Sequence, residues 1–274
     1  MPAQPDLPLR PMTLGELLDA AMTLLRARAV PLLALAGVLA VLEQALLMPL
    51  RQLASASPPV YGPARGSFGL WWTLVATGFA AEAFIICVLG AVAAAAAGPA
   101  LLGRPLRDRE LWGRTRPLVV LPAAAGFAAL CGVAAFAGFV GWLLAYGFFG
   151  LVSAVLVIDR AGSFGRAARL AGRNGMRGAW TRLAAYLTWF AVRMVLGAGW
   201  VAFFSAVSGD APEWLTWLVP LAWAFANTIA YAALACVDAV LLLETRIRTE
   251  GLDIAISRAR SRGEDDAAPL VYAP

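Results

Sequence analysis

Histidine and lysine do not occur in this chain of 274 residues, and cysteine occurs three times. Without histidine, catalysis by imidazole and His-ligated metal sites are excluded. Without lysine, a phosphate-binding loop of the G-x-x-x-x-G-K type is excluded as well. The cysteines, Cys87, Cys131 and Cys236, stand alone inside apolar runs, and this setting predicts small buried side chains rather than a redox pair.

Other marks of soluble enzymes are also missing. The sequence has no G-x-S-x-G nucleophile motif, and its apolar runs contain no cluster of Asp or Glu at metal-ligand spacing. The acidic run Glu264–Asp266 lies in the tail, where it is typical of a solubilising segment. Segments between the apolar runs reach about 25 residues at most. We therefore expect a protein that is not an enzyme and that has no metal ion or cofactor.

Long apolar runs are what the chain has in abundance. Hydrophobic residues make up 61% of the sequence and the mean hydropathy is +0.74, whereas soluble domains are about half apolar. Runs of about 18 residues or more are typical of transmembrane helices. We predict an all-α fold: a polytopic bundle of six spans in one domain over residues 1–251, with short amphipathic interfacial helices on the cytoplasmic side. The spans are expected at about residues 30–50, 69–97, 117–136, 140–158, 183–207 and 214–243.

The apolar run from Leu118 to Ile158 needs a break. As one helix it would be about 60 Å long, twice the thickness of the hydrocarbon core of a membrane. We place the turn near Phe136–Trp142, where Gly138 and Gly141 permit it.

The two ends of the chain carry different signals. Thr13 and Glu16 match a capping box, which predicts the start of an amphipathic helix over residues 13–29. This helix either lies at the membrane surface or packs on the inner end of the bundle, and its pattern is compatible with both. The tail, residues 252–274, is predicted to be cytoplasmic and partly disordered.

All 22 basic residues are arginine, and their distribution predicts the topology. With the N-terminus in the cytoplasm, 19 arginines fall in the inner segments, Arg51 and Arg65 fall outside, and Arg193 lies in the membrane. Such asymmetry favours six spans with both termini in the cytoplasm. Orientation and anionic lipid head groups then explain the net charge of +5 better than nucleic acid does. The abundance of Arg and Ala is typical of a GC-rich bacterial genome, so we expect the cytoplasmic (inner) membrane of a bacterium.

Charged residues at mid-membrane depth form the first candidate site, which comprises Glu43, Glu82, Arg193 and the polar Asn227. A charge at this depth costs about 2.5–3.5 kcal/mol, so we expect Arg193 to pair with Glu82 or Glu43. The pair either fixes the register of the helices or, with the second carboxylate, lines a path for a proton, an ion or a lipid head group. A dry, sealed pair would favour the first interpretation, and a cavity that reaches the cluster would favour the second.

A second set of polar residues ends the last span: Asp238, Glu244, Arg246, Arg248, Glu250, Gly251 and Asp253. We use the term connectors for the two Arg-rich cytoplasmic segments that join the second span to the third and the fourth span to the fifth. We expect Asp238 either to reach water or to bond an arginine of one of these connectors. Charge pairs at i,i+4 join Glu244 to Arg248 and Arg246 to Glu250, and Gly251 permits a left-handed helix end. We interpret the run as a solvated helix end, and its charge density also suits docking onto the connectors or onto a partner.

Three segments resemble a known family. LRPMTLGELLDAAMTLLRARAVPLL, VIDRAGSFGRAARLAGRNGMRGAW and LLLETRIRTEGLDIAISRARS are similar to segments of bacterial integral membrane proteins labelled "glycerophosphoryl diester phosphodiesterase membrane domain". In the last segment Glu244 stands where the family has Asp and Leu242 where it has Tyr, while the matching positions are Arg246, Arg248, Glu250, Gly251 and Asp253. The resemblance implies six spans and cytoplasmic termini. It implies no activity, because the family's soluble phosphodiesterase barrel depends on histidines and metal-binding carboxylates, and this chain has neither that barrel nor any histidine.

Three functions remain open from the sequence. We expect a non-enzymatic scaffold or accessory subunit whose Arg-rich cytoplasmic face contacts anionic lipid or a partner protein. The alternative is a small transporter or lipid-handling protein that uses Glu43, Glu82 and Arg193, and an intramembrane enzyme comes third. No nucleic-acid partner is expected, and the sequence leaves the oligomeric state open.

Overall fold

The fold is helical throughout. A computed structural model describes residues 7–56, 62–63, 65–104, 106–160, 164–208 and 215–272. It is 86% helical, and the described ranges contain no strand. Six helices are long and apolar enough to cross a membrane. The prediction of an all-α polytopic bundle is therefore confirmed.

The helices follow one another with short connections. They are α1 Leu14–Ala27, α2 Ala29–Leu53, α3 Phe68–Leu102, α4 Asp108–Arg114, α5 Pro117–Ala137, α6 Phe139–Phe149, α7 Val152–Ala154, α8 Phe164–Ser208, α9 Leu215–Glu250 and α10 Leu252–Arg262. The fourth candidate span combines α6, α7 and a π-helical stretch, Val155–Asp159. A 3-10 turn, Ala268–Leu270, follows α10.

The longest helices extend beyond the spans predicted from the apolar runs. We ended the second span at residue 97 because Gly98 and Pro99 follow, but α3 continues to Leu102 with both residues inside it. In α8 the backbone leaves helical geometry from Arg173 to Met176, which divides the helix into a short first part and a long second part. The first residue that we assigned to the sixth span, Trp214, lies outside the described ranges.

Helices α3 and α9 form the centre of the bundle. In their most apolar stretches 94% and 89% of the residues are buried, compared with 28% in α5. Helix α9 packs against α1, α2, α3 and α8, and α3 packs against α5 as well. The run Ala91–Ala97 in α3 is entirely buried, since small side chains let neighbouring helices approach closely. Outer helices expose large apolar side chains such as Leu118 and Val195, which is typical of surfaces in contact with hydrocarbon.

The two ends of the bundle differ in charge. The Arg-rich end comprises α1, α4, the first part of α8, the end of α9 and α10, and hydrogen bonds from Arg248 to the Met12 carbonyl and from Arg104 to Asp265 join parts of it. The opposite end comprises the connection from α2 to α3 and the turn from α5 to α6. That turn is at Gly138, as predicted, and its φ of 151° is one that glycine adopts readily.

Helix α1 begins with the predicted capping box. The Thr13 side chain accepts from the Glu16 amide, and the Glu16 carboxylate accepts from the Thr13 amide at 2.8 Å. Hydrogen bonds from Arg10 and Thr13 hold the pKa of Glu16 at about 2, below its ordinary value of 4.5. Leu17 and Leu24 are buried, and α1 packs against α9 and α3. The helix thus packs on the Arg-rich end of the bundle, which is one of the two positions that the sequence allowed.

The tail, which we predicted to be partly disordered, makes contacts with the bundle within its described residues 252–272. After α10 the chain turns back, and the Tyr272 amide donates to the Asp159 carbonyl at 2.9 Å. Arg246 donates to the carbonyls of Pro269 at 3.0 Å and Leu270 at 2.5 Å. The composition of the tail is polar, but its main-chain carbonyls satisfy donors of a buried arginine, and composition alone carries no sign of this.

Candidate functional site

Four helices bring the predicted intramembrane residues together. Glu43 lies on α2, Glu82 on α3, Arg193 on α8 and Asn227 on α9, and all four side chains are buried. Two tyrosines that we had not singled out, Tyr186 and Tyr231, complete the group. We call these six residues the polar cluster.

Arg193 forms its ion pair with Glu82 and not with Glu43. Arg193 Nη1 lies 3.0 Å from Glu82 Oε2. The Tyr186 hydroxyl donates to the same carboxylate oxygen at 3.2 Å and accepts from Arg193 Nη2 at 3.1 Å. The contact joins α8 to α3, and a buried charge is less costly when it has such a partner.

Glu43 is held by neutral donors. The Tyr231 hydroxyl donates to its carboxylate at 2.9 Å, and Asn227 Nδ2 donates at 2.9 Å. Within the described ranges no arginine lies within ion-pair distance of Glu43. Arg193 Nη1 contacts the Tyr231 oxygen at 3.4 Å, so one hydrogen-bonded chain runs from Glu82 through Arg193 and Tyr231 to Glu43. Glu43 is thus a buried carboxylate without a cation of its own.

A crevice reaches the polar cluster. Its volume is about 210 Å³, and its walls come from α2, α3, α8 and α9. It extends from Glu43 towards Arg51 on α2 and from Glu82 towards Val75 on α3, which is the direction of the opposite end. The lining residues are Glu43, Gln44, Leu47, Arg51, Val75, Gly78, Phe79, Glu82, Arg193, Met194, Trp223, Asn227 and Tyr231.

Two acceptor atoms among the lining residues have no partner in the described structure. They are Glu82 Oε1 and Gln44 Oε1, and both are buried. Buried polar atoms are normally hydrogen-bonded, so unpartnered atoms beside a crevice indicate a place for water or a ligand. Together with the Glu43 carboxylate they form a group of acceptors that suits a cation or a molecule rich in donors. No group of three Asp, Glu, His or Cys side chains in the described ranges could hold a metal ion.

A second buried arginine was missed by the sequence analysis. We counted Arg182 among the cytoplasmic connector residues, but its side chain is 1% exposed inside the bundle. Its guanidinium makes two hydrogen bonds to Asp238, at 2.6 and 3.0 Å, and a third to the Tyr146 carbonyl. It also lies 3.7 Å from the centre of the Tyr146 ring. Asp238 therefore bonds a connector arginine, which was one of its two predicted outcomes, and does not reach water.

Gly150 makes room for this pair. A Cβ atom at this position would overlap the Arg182 guanidinium, so no larger residue fits without displacing that group. Gly150 follows α6 and packs directly on the buried arginine. The only signal in the sequence was a glycine inside an apolar run, and glycines in such runs equally mark turns and close helix contacts.

The end of α9 is largely buried in a network of ion pairs, so our interpretation of a solvated helix end is wrong. Docking of the charged run onto a connector, which we also considered, agrees with its contacts to Arg166 and Arg173. Asp159 accepts from Arg166 and from Arg246, both at 2.9 Å. Glu250 accepts two bonds from Arg166, at 2.6 and 2.8 Å, and one from Arg246 at 3.1 Å. Arg246 is only 4% exposed. Gly251, with a φ of 64°, then ends the helix as predicted.

The other residues of this end motif contact the N-terminal segment or face outward. Glu244 is buried and lies 2.7 Å from Arg248. The guanidinium groups of Arg248 and Arg177 both donate to the Met12 carbonyl at 3.0 Å. Asp253 lies in the first turn of α10, is partly exposed, and forms no ion pair within the described part of the chain.

Comparison with known proteins assigns neither a family nor a function to this chain. No protein-family model, no curated protein and no solved structure matches this chain. The resemblance of its three segments to the membrane-domain family therefore stays a prediction.

Proposed function

We propose that the protein is a small transporter or lipid-handling protein, and that its crevice takes up a cationic group such as the ammonium of a solute or of a lipid head group. The observation that carries the proposal is Glu43, a buried carboxylate without an arginine partner beside an open crevice. This was the alternative of the sequence analysis. A cavity that reaches the cluster favours it over a sealed structural pair.

The chemistry of the lining suits an ammonium group. A buried carboxylate is costly unless a positive charge or several donors compensate it, and Glu43 has only two neutral donors. Glu82 Oε1 and Gln44 Oε1 offer two further acceptors. Tyr231, Trp223 and Phe79 add aromatic rings, and such rings attract cations through their negative faces. An anion would meet two arginines, of which Arg193 is already paired with Glu82 and Arg51 lies about two turns along α2 from Glu43.

A layer of packed aromatic rings lies between the cluster and the Arg-rich end. The rings of Trp142 and Tyr146 stack 5.2 Å apart, and Tyr186 packs against both of them. The Arg182–Asp238 pair lies beside Tyr146. A site that is open on one side and closed on the other is what alternating access requires of a transporter in one of its two states.

The test uses purified full-length protein in liposomes, with two probes that separate a solute from a lipid. Radiolabelled ethanolamine tests entry of a free amine. Quenching by dithionite of a tail-labelled phosphatidylethanolamine tests movement of a lipid between leaflets. We expect one of these probes to move, and Glu43→Gln to slow it about tenfold or more, because the amide carries no charge to attract the ammonium.

The matched control is Glu110→Gln, which removes an exposed carboxylate at the Arg-rich end. It should leave the rate unchanged. If neither probe moves faster than in protein-free liposomes, or if Glu43→Gln has no effect on the rate, the proposal is wrong.

A second candidate is a non-enzymatic scaffold or accessory subunit. It is favoured by the ion pairs of the Arg-rich end, which join α8, α9 and the tail into one platform. In this proposal both termini are cytoplasmic, the membrane is a bacterial inner membrane, and the platform contacts anionic lipid or a protein. A stoichiometric partner that copurifies in mild detergent and is lost on Arg173→Glu would support it. A C-terminal reporter active only outside the cytoplasm would contradict the orientation.

A further inference from the structure

A second pocket lies at the Arg-rich end, far along the bundle from the crevice. It has a volume of about 380 Å³ and lies between the end of α3, the junction of α4 and α5, the π-helical stretch and the tail. Part of its lining consists of small or apolar residues, which include Gly98 and Pro99 of α3 and Leu270 of the tail. No residue of the crevice contributes to it.

Three arginines line this pocket, and no carboxylate appears among the lining residues described. They are Arg114, Arg116 and Arg160. Arg116 donates to the Leu156 carbonyl at 2.8 Å, which holds its side chain against the π-helical stretch. Arg114 and Arg160 form no ion pair with any described residue. Most other arginines of this end have a carboxylate partner, so the pocket has an excess of positive charge.

Exposed apolar side chains begin directly beside the arginines. Leu118, in the first turn of α5, is 89% exposed, and Leu121 lies one turn further along the same helix and is also exposed. Trp112 of α4, six residues before Leu118 in the chain, is also exposed, and tryptophan is typical of the boundary between head groups and hydrocarbon. Positive charge in a pocket and an apolar helix surface next to it match the two parts of an anionic phospholipid.

We infer that this pocket binds the phosphate of an anionic phospholipid, whose acyl chains lie along the exposed face of α5. The guanidinium groups of Arg114 and Arg160 bond the phosphate oxygens, since arginine is well suited to phosphate recognition. Arg116 adds its charge and is anchored by the Leu156 carbonyl. The inference does not depend on the crevice, and it deepens the second candidate function by naming where the Arg-rich end meets lipid.

The experiment measures lipid binding to the purified full-length chain in detergent by native mass spectrometry. The probes are a short-chain phosphatidylglycerol and a phosphatidylcholine with the same chains. We expect the unmodified protein to retain phosphatidylglycerol preferentially. In the double variant Arg114→Gln with Arg160→Gln, its affinity for phosphatidylglycerol should fall about tenfold or more.

The matched control is the double variant Arg26→Gln with Arg169→Gln. Both of these arginines are exposed at the same end and lie outside the pocket, so the net charge changes equally. Affinity for phosphatidylglycerol should stay within about twofold of the unmodified protein. An equal loss in both double variants, or a loss in neither, would overturn the inference.

Two further arms make the result decisive. Inorganic phosphate at the same concentration as the lipid should not displace the lipid. Complete displacement would contradict the inference and indicate that the ligand is a soluble phosphate compound. A phosphatidylglycerol with a photoreactive acyl chain should label the peptide that contains Leu118 and Leu121 in the unmodified protein. Excess phosphatidylglycerol should prevent that labelling and phosphatidylcholine should not. Labelling elsewhere would contradict the proposed position even if the variants failed to fold.

Discussion

Helix α8 carries two buried arginines, and their surroundings differ. Arg182 bonds Asp238 through two nitrogens and packs on Gly150, and neither side chain of the pair lines the crevice. Arg193, about 16 Å further along the helix, contacts Glu82 through one nitrogen and lines the crevice. The first pair satisfies its acceptors, whereas the second leaves Glu82 Oε1 without a partner.

The comparison indicates two roles for the same kind of ion pair. A buried carboxylate whose two oxygens are both bonded has no free acceptor for a ligand, so Arg182–Asp238 fixes the packing of α8 on α9. A carboxylate that lines a crevice and has one oxygen without a hydrogen-bond partner can exchange partners. The two pairs should therefore differ in how much they stabilise the folded protein, which thermal unfolding in detergent measures.

Asp238→Ala should have the largest effect. It leaves the Arg182 guanidinium buried without a carboxylate, and removing one partner of a buried pair costs about 3–5 kcal/mol of unfolding free energy. The control is Asp253→Ala, at a partly exposed aspartate of α10, where the change should stay within about 0.5 kcal/mol. If the two variants unfold alike, the Arg182–Asp238 pair is not a structural lock.

Gly150→Ala should come next. The added methyl group would overlap the Arg182 guanidinium, so the guanidinium or the backbone must shift. Overpacking of this kind costs about 1–3 kcal/mol of unfolding free energy. Gly199→Ala on α8 is the matched control, because nothing lies within 4 Å of the added atom. It should be neutral or stabilise the helix by up to about 1 kcal/mol, and equal losses in both would show that Gly150 is not required by the pair.

Arg193→Gln should cost less than Asp238→Ala, about 1–3 kcal/mol of unfolding free energy. The crevice lets water reach the Glu82 carboxylate after its cation is removed. The double variant Glu82→Gln with Arg193→Gln should recover part of the loss, and a double-mutant cycle gives the coupling between the two side chains. A loss as large as that of Asp238→Ala would place both pairs in the same structural role.

Glu43→Gln should have the smallest effect on stability, within about 1 kcal/mol, because it replaces a charge without a cation by an amide of the same shape. The same variant is expected to abolish most of the movement of the cationic probe. Glu43→Gln should therefore lose movement of the probe but keep its stability, whereas Asp238→Ala should lose stability. A large loss of unfolding free energy would instead make Glu43 a structural anchor.

The sequence predicted the helices well, because each depends on residues close together in the chain. The six apolar segments, the break at Gly138 and the capping box of α1 all follow from local length, spacing and glycine chemistry. The helix end at Gly251 follows in the same way. The misjudged residues are those whose environment comes from other helices. Its neighbours in sequence suggest that Arg182 is a connector residue, yet it contacts Phe127 of α5, Tyr146 of α6 and Asp238 of α9.

The sequence predicted four of the six residues of the polar cluster but not the contacts between them. Depth along each span identified Glu43, Glu82 and Arg193, because a charge far from both ends of an apolar run must lie deep in the bundle. The tyrosines were missed, since Tyr186 and Tyr231 stand in apolar runs where an aromatic residue is ordinary. Their place in the polar cluster depends on which side of each helix faces which neighbouring helix.

The sequence alone determined that the chain is a helical membrane bundle with three charges at depth, because hydrophobic length and helix ends are local properties. Only the tertiary structure decided which carboxylate Arg193 takes, that a crevice reaches the cluster, and that three arginines share a pocket. These features join residues that are distant in the chain: Glu43 and Asn227, for example, are 184 positions apart. The rotation and tilt of packed helices set such contacts, and the packing of all the side chains together determines both.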